Sequence, residues 1–412
     1  MTTKHHVSLA ASALLVALAG NATALTLPEA LTLAERHSPA LRAARGQQQG
    51  AQAALDTARA YPNPEVEYGA GNSHLMPATP HPGRNRLLAV SQPLELPSVR
   101  DARERAAEAG ALSGSAQLMD ARLNLHAQVK QAFLDIQRRD SEAQLAEESR
   151  ALLAQIYSRV KLRVEVGEAS RYELIKADAE MLAAENAAQS AEIRVVQAKD
   201  RLRALLGTAL DDSFDITPTT LPPDELPALA TLREELLAHQ PLLKAAEAET
   251  RRAAAKLDQE RSLRIPQPTL KWSAEQHPDV NLWRVGIALP LPLWDRRAGP
   301  IGEAQANLER AEAEQERIRS NVLNELDQAY GRYRIAQRQL HIFETGLMQG
   351  AETALKVAEA AYRYGERGIL DYLDAQRVVR STRMDYLNAR YELQFALVDI
   401  ERLRGTLAGE HP

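Results

Sequence analysis

The chain has 412 residues, no cysteine, 4% aromatic residues and a formal net charge of −5. The missing cysteine excludes disulfides, thiolate metal sites, a cysteine nucleophile and an acylated N-terminal cysteine, and the modest charge, alternating in sign, excludes a basic footprint for nucleic acid. Abundant Ala, Leu, Glu, Arg and Gln with so few aromatics predict long helices and coiled coils rather than an ordinary globular core.

At the N-terminus, Lys4 precedes an apolar run over 7–19 and the small residues Ala22, Thr23 and Ala24, the pattern of a cleavable secretory signal over 1–24. The run is about 13 residues, shorter than the roughly 20 that a spanning helix needs, and no later stretch reaches that length. Beyond it the chain reads as two copies of about 200 residues. His37-Ser38-Pro39 answers to His239-Gln240-Pro241, Leu55-Asp56 to Leu257-Asp258, Pro62-Asn63-Pro64 to Pro266-Gln267-Pro268, Val166-Gly167-Glu168 to Tyr364-Gly365-Glu366, and Gly207 to Gly405. This predicts one repeat over 25–207, a linker over 208–228, a second repeat over 229–405 and a tail over 406–412.

Each copy opens with a predicted helix, 29–60 and 229–263, whose Ala and Leu recur at steps of three and four until the proline pair stops it. Short, partly alternating segments follow at 65–71, 84–92, 269–275 and 282–289, read as two hairpins. The loop over 72–83 holds His74, Met76 and His81, and the shorter second loop holds His277. Without an i,i+4 pairing, these are scattered loop histidines rather than a metal site. After each hairpin a long helix is expected, over 99–166 and 301–364, with Ser98 and Asp101 as a capping box and Pro300 at a first helical position. At 1.5 Å per residue each is roughly 100 Å long, and so thin an Ala and Leu stripe must pack along other helices. Gly167 and Gly365 end these helices, and returning helices run to Leu206 and Arg404.

Four strands are too few to close a barrel, and an open sheet edge in lipid leaves unsatisfied backbone groups. Three copies would supply about 12 strands, within the range of membrane barrels. Tyr68, Trp272 and Trp283 are candidates for the lipid interface, the alternative being ordinary strand aromatics. The long helices are charged throughout, so they project into aqueous space as a tunnel wall.

Across the whole mature chain, this order of elements resembles the TolC family of outer-membrane efflux proteins. The segments Tyr61-Pro62-Asn63-Pro64-Glu65, Ser91-Gln92-Pro93-Leu94-Glu95-Leu96 and Ala288-Leu289-Pro290-Leu291-Pro292-Leu293-Trp294-Asp295-Arg296 resemble its cobalt-zinc-cadmium (CzcC-like) branch. The sequence departs from that branch after Leu96, where Pro97-Ser98-Val99-Arg100 replaces the common Gly-Lys-Arg. The resemblance implies a mostly α fold of duplicated helical hairpins, with four strands per protomer in a trimeric 12-stranded transmembrane barrel. It also implies a homotrimer in outer-membrane lipid, fed by a periplasmic adaptor and an inner-membrane pump of the resistance-nodulation-division (RND) type, with no cofactor and no catalytic residue.

The resemblance further implies roles at the tip. Asp371 and Asp374 match the family's acidic pore constriction, and a spacing of three puts both on one helix face, so a trimer would stack two rings of carboxylates that favour cations. Asp371 also suits a first helical turn without any pore. Tyr362 and Arg367 match residues that latch the closed tip to an acid on the neighbouring coil, here Glu173, which is equally a capping-box residue for Ser170. Rival expectations are a channel for type I protein secretion or drug efflux, and a periplasmic coiled-coil scaffold without a pore. An enzyme is not expected, since no phosphate loop, nucleophile elbow or metal-ligand spacing occurs.

Overall fold

A computed structural model describes residues 24–73, 83–207, 214–220 and 226–406. The expected signal over 1–24 lies almost wholly outside these residues, as do His74, Met76, His81 and most of the C-terminal tail. Helices α1 (Leu27–His37) and α2 (Pro39–Arg59) lead to strands β1 (Glu65–Ser73) and β2 (Gly83–Pro93), then to α3 (Pro97–Glu165) and α4 (Arg171–Leu206). The second half repeats the order: α5 (Leu229–His239), α6 (Pro241–Ser262), β3 (Thr269–Gln276), β4 (Asn281–Ala288), α7 (Ala298–Ile342), α8 (Met348–Arg363) and α9 (Ile369–Arg404). With 69 residues, α3 is about 104 Å long.

The single helix expected over 29–60 is instead two, and so is its partner in the second copy. Each breaks before a proline, because Pro39 and Pro241 bring no N–H to continue the ladder and push Ser38 (ψ 124°) and Gln240 (ψ 117°) out of helical conformation. The expected capping box of Ser98 and Asp101 is also corrected. Helix α3 starts at Pro97 with Leu96 as its cap, no side chain caps it, and the Leu96 amide donates to Gln267 Oε1 at 2.8 Å. In the second copy α7 begins at Ala298, two residues before Pro300. The long helix there is interrupted by one π-helical turn over Phe343–Leu347, within which Gly346 has φ 174°.

Glycines close the repeats where only a left-handed residue fits. Gly167 (φ 81°) and Gly365 (φ 75°) end the long helices in the same way. The Glu168 and Glu366 amides reach back to the carbonyls of Arg163 and Ala361, and those of Gly167 and Gly365 to Val164 and Tyr362. Gly207 and Gly405 end α4 and α9. A Cβ there would stand 2.6 Å from the His37 carbonyl oxygen in the first copy and 2.8 Å from that of His239 in the second, so each glycine lets a returning helix dock on the joint that the proline made.

Two equivalent cores sit at that level. Leu27, Ala30 and Ala34 of α1 pack on Leu125, Val129, Phe133 and Ile136 of α3 and on Leu202 and Leu206 of α4. Leu232 and Leu236 of α5 pack on Val322, Leu326, Ala329 and Tyr333 of α7 and on Ile400 and Leu403 of α9. Helix α3 packs against α2 and α6 towards the sheet and against α4 and α9 towards the tip, while α7 and α8 pack against α6 and α9. This leaves α2 and α4 on one edge of the protomer and α7 with α8 on the other.

Candidate functional site

The four strands form one antiparallel sheet in the order β1-β2-β3-β4, with β1 and β4 as its edges. The register sorts the side chains by face. One face carries Val66, Tyr68, Leu88, Val90, Leu270, Trp272, Trp283, Val285 and Ile287, and the other carries Glu65, Glu67, Ser91, Lys271, Ser273, Glu275 and Arg284, with Leu87 and Leu282 in the row of Glu275 near the loops. On the apolar face, Tyr68 is 67% and Trp283 74% exposed, and Val66, Val285 and Ile287 are exposed as well. A sheet with one dry and one polar face, both uncovered, is built for lipid outside and water inside. Tyr68 and Trp283 share one cross-strand row, through Leu88 and Ala274. The next row towards the loops, with Arg86, Gln276 and Asn281, is polar, so these two aromatics close the apolar band and Trp272 lies one row inside it.

The sheet is locked to the helices beneath it by Arg103 of α3. Its guanidinium holds Glu95 through two bonds of 2.7 and 2.9 Å and donates to the carbonyls of Ala58 and Ala60. Arg100 stacks over the Tyr61 ring at 3.8 Å. Near the second loop, His277 Nε2 is 3.3 Å from Glu275, which also accepts from Arg284. Among the described residues no group of three or more His, Asp or Glu is arranged to hold a metal ion.

At the far end the two helical turns share one small core, in which Leu153, Ile156 and Val160 of α3 and Ala177 of α4 meet Ile369, Tyr372 and Leu373 of α9. Burial of Tyr372 and Leu373 turns the residues flanking them outward, so Asp371 and Asp374 are both exposed on one side of α9. Each has an arginine beside it: Arg367 at 3.4 Å from Asp371 and Arg377 at 3.5 Å from Asp374. Arg377 also binds Glu180 of α4, whose carboxylate holds the guanidinium further into its charged range.

The three latch candidates are not joined to one another by a hydrogen bond or ion pair within the described protomer. Tyr362 stacks on Tyr372, ring centroids 5.9 Å apart, and Arg163 lies 5.3 Å from the Tyr362 centroid. Arg367 turns to Asp371 instead, and Glu173 sits in the first turn of α4, its amide donating to Ser170 Oγ at 3.3 Å. Sequence reasoning missed Arg163, Glu180 and Arg377. The placement of Arg377 three residues after Asp374 was a readable signal, whereas the contacts of Glu180 and Arg163 with the second copy exist only once the hairpins pack.

This duplicated tunnel-and-sheet architecture is that of a family. The chain belongs to the Outer membrane efflux protein family, whose profile matches residues 30–208 and 232–406. It is an outer-membrane efflux channel and not an enzyme. It is 28% identical to the cobalt-zinc-cadmium resistance protein CzcC of Cupriavidus metallidurans, over 92% of this chain and 90% of the relative. Among solved structures it superposes on CusC with a TM-score of 0.81 at 20% identity, covering 92% of each chain. With VceC of Vibrio cholerae the TM-score is also 0.81, at 20% identity over 92% of this chain and 96% of the other. At such identities the two structures establish the fold.

Proposed function

We propose that three copies of the chain close into a passive conduit through the outer membrane. It would discharge divalent metal cations delivered by an inner-membrane pump of the RND type through a periplasmic adaptor. The observation that carries this reading is the sheet, with its exposed apolar face, polar opposite face and two open edges. Open edges in lipid require partner strands, and four strands from each of three copies give about 12. The helical edges suit the same closure. Tyr172, Ile175, Leu182, Ile193 and Val196 form an exposed stripe on α4, and Ile335, Ile342, Leu347 and Val357 form one on α7 and α8. Head-to-tail contact of unlike edges closes into a ring.

In this assembly residues 1–24 are an export signal, the repeats over 25–207 and 229–405 each supply a hairpin and a tip, and 208–228 links them. Gly167 and Gly365 mark the turns of the tip. Asp371 and Asp374 form two carboxylate rings that favour cations, while Tyr362 and Arg367 engage Glu173 of an adjacent coil in the closed state. Metal as cargo rests on similarity to CzcC, whose name specifies cobalt, zinc and cadmium resistance.

Two measurements test the reading. Detergent-extracted protein is expected to run as a trimer and to conduct in planar bilayers with cation preference, which Asp371→Asn with Asp374→Asn abolishes. A water-soluble monomer would refute the channel, and unchanged selectivity would refute the rings. Loss of the protein is expected to sensitise its host to cobalt, zinc or cadmium, and a conducting channel whose loss leaves metal tolerance unchanged carries another cargo.

A further inference from the structure

The segment between β4 and α7 is longer than its counterpart in the first copy. Strand β2 ends at Pro93 and α3 starts at Pro97, leaving only Leu94, Glu95 and Leu96 between them. In the second copy β4 ends at Ala288 and α7 starts at Ala298, and residues 289–297 fill the gap. This stretch begins Leu289-Pro290-Leu291-Pro292-Leu293-Trp294-Asp295-Arg296.

We infer that residues 289–296 form a lipid anchor in the periplasmic leaflet of the outer membrane, prolonging the sheet's apolar face below its last paired row. The inference rests on the membrane placement of the sheet proposed above. Trp283, Val285 and Ile287 alternate on the outward face of β4, and the sequence keeps the alternation with Leu289, Leu291 and Leu293. These three leucines are exposed, and Trp294 is 92% exposed, more than any other large apolar side chain among the described residues.

The backbone suits the same place. An unpaired strand bordering lipid is costly because its amides have no acceptor. Pro290 and Pro292 bring no amide hydrogen, and the Leu293 amide donates to the Leu291 carbonyl at 2.9 Å. Beyond the leucines the polarity changes in the order that a bilayer changes. Trp294 supplies a ring of the kind enriched at membrane interfaces, and Arg296 is exposed, with no ion pair among the described residues. Its neighbours are already engaged, since Asp295 accepts from the Arg297 amide and Arg297 binds Glu260. Arg296 is thereby left to meet an anionic phosphate of a lipid headgroup.

The chain has three tryptophans, Trp272, Trp283 and Trp294, which permits a direct test on the full-length protein in lipid vesicles. A W272F/W283F variant reports on Trp294 alone, and a W272F/W294F variant reports on Trp283. Trp294 is expected to show blue-shifted emission, loss of intensity in phosphatidylcholine brominated near the headgroup, and protection from aqueous iodide. If Trp294 emits as in water and iodide quenches it while bromolipid quenches Trp283, the anchor is wrong and the membrane sheet stands. If Trp294 is shielded from both quenchers it is covered by protein, and the lipid anchor is again overturned. If bromolipid quenches neither tryptophan, the membrane placement itself fails.

Discussion

Arg377 of α9 binds Glu180 of α4, and so ties the tip hairpin of the second copy to that of the first. The same guanidinium lies beside Asp374, so it both holds the hairpins together and shields one of the outward carboxylates. With Arg377 more than half exposed and Glu180 half-buried, such a pair is worth about 1 kcal/mol. Arg377→Ala is therefore expected to raise the open probability of the channel by up to about fivefold per subunit, read from single-channel records in planar bilayers. An unchanged open probability would show that the pair does not hold the tip.

The two faces of the sheet predict opposite outcomes for the same new charge. Val285→Lys places an ammonium on the apolar face, where a membrane barrel loses about 2–4 kcal/mol near mid-bilayer, and assembled trimer is expected to fall. Ser273→Lys, on the polar face, is expected to assemble normally and to lower cation conductance. Equal assembly of the two variants would mean that neither face meets lipid.

Glycines with positive φ separate into cheap and expensive positions. At Gly167 a Cβ meets nothing within 4 Å, so Gly167→Ala costs only the left-handed conformation, about 1–2 kcal/mol. At Gly207 the Cβ would collide with the His37 carbonyl and the Pro39 ring, so Gly207→Ala must also displace the joint between α1 and α2. Thermal unfolding in detergent is expected to rank Gly207→Ala well below Gly167→Ala, with Gly405→Ala beside Gly207→Ala. A reversed ranking would contradict the docking role of the repeat ends.

Two carboxylates near the midpoint of the tunnel give pH dependences of opposite sign. Burial pushes Glu35 up, but hydrogen bonds from Arg122 and His126, both 2.7 Å, outweigh it and leave the group below its ordinary 4.5. Its folded pKa is thus depressed, so its stabilisation is present above the unfolded value and disappears as pH falls through the folded one. Asp120 is raised above its ordinary 3.8 by burial, against the opposing pull of Arg402 and Asn124, so it destabilises at neutral pH and the penalty fades in acid. Unfolding midpoints are expected to fall for Glu35→Gln and rise for Asp120→Asn at neutral pH, with both differences shrinking towards acid. Shifts of the same sign would overturn the assignment.

What could be read in the sequence was whatever depends on local chemistry. Gly167, Gly207, Gly365 and Gly405 announced the helix ends because only glycine accepts those turns without strain, and the partly alternating segments 65–71, 84–92, 269–275 and 282–289 located all four strands to within two residues. The joints at Ser38 and Gln240 were visible as prolines yet hidden inside an unbroken Ala and Leu period, where periodicity continues even as the axis breaks. The cap of α3 could not be read because its acceptor, Gln267, is 171 positions away. At the tip, the shared face of Asp371 and Asp374 followed from spacing alone, but Arg377 reaching Glu180 required two hairpins to meet.

The π turn over Phe343–Leu347 has a consequence for phase. A π turn absorbs one additional residue into a helix, and one residue is about 100° of rotation. Counted without it, Ile335 and Ile342 would point about 100° away from Leu347, Ala354, Val357 and Ala361. With it, the spacing of five between Ile342 and Leu347 behaves as four, and a single exposed seam runs from the middle of α7 to the tip. Because the turn already holds the additional residue, deleting one from it would keep the seam in phase, whereas forcing the full-length turn into α-helical geometry would rotate every side chain of α8 by about 100°.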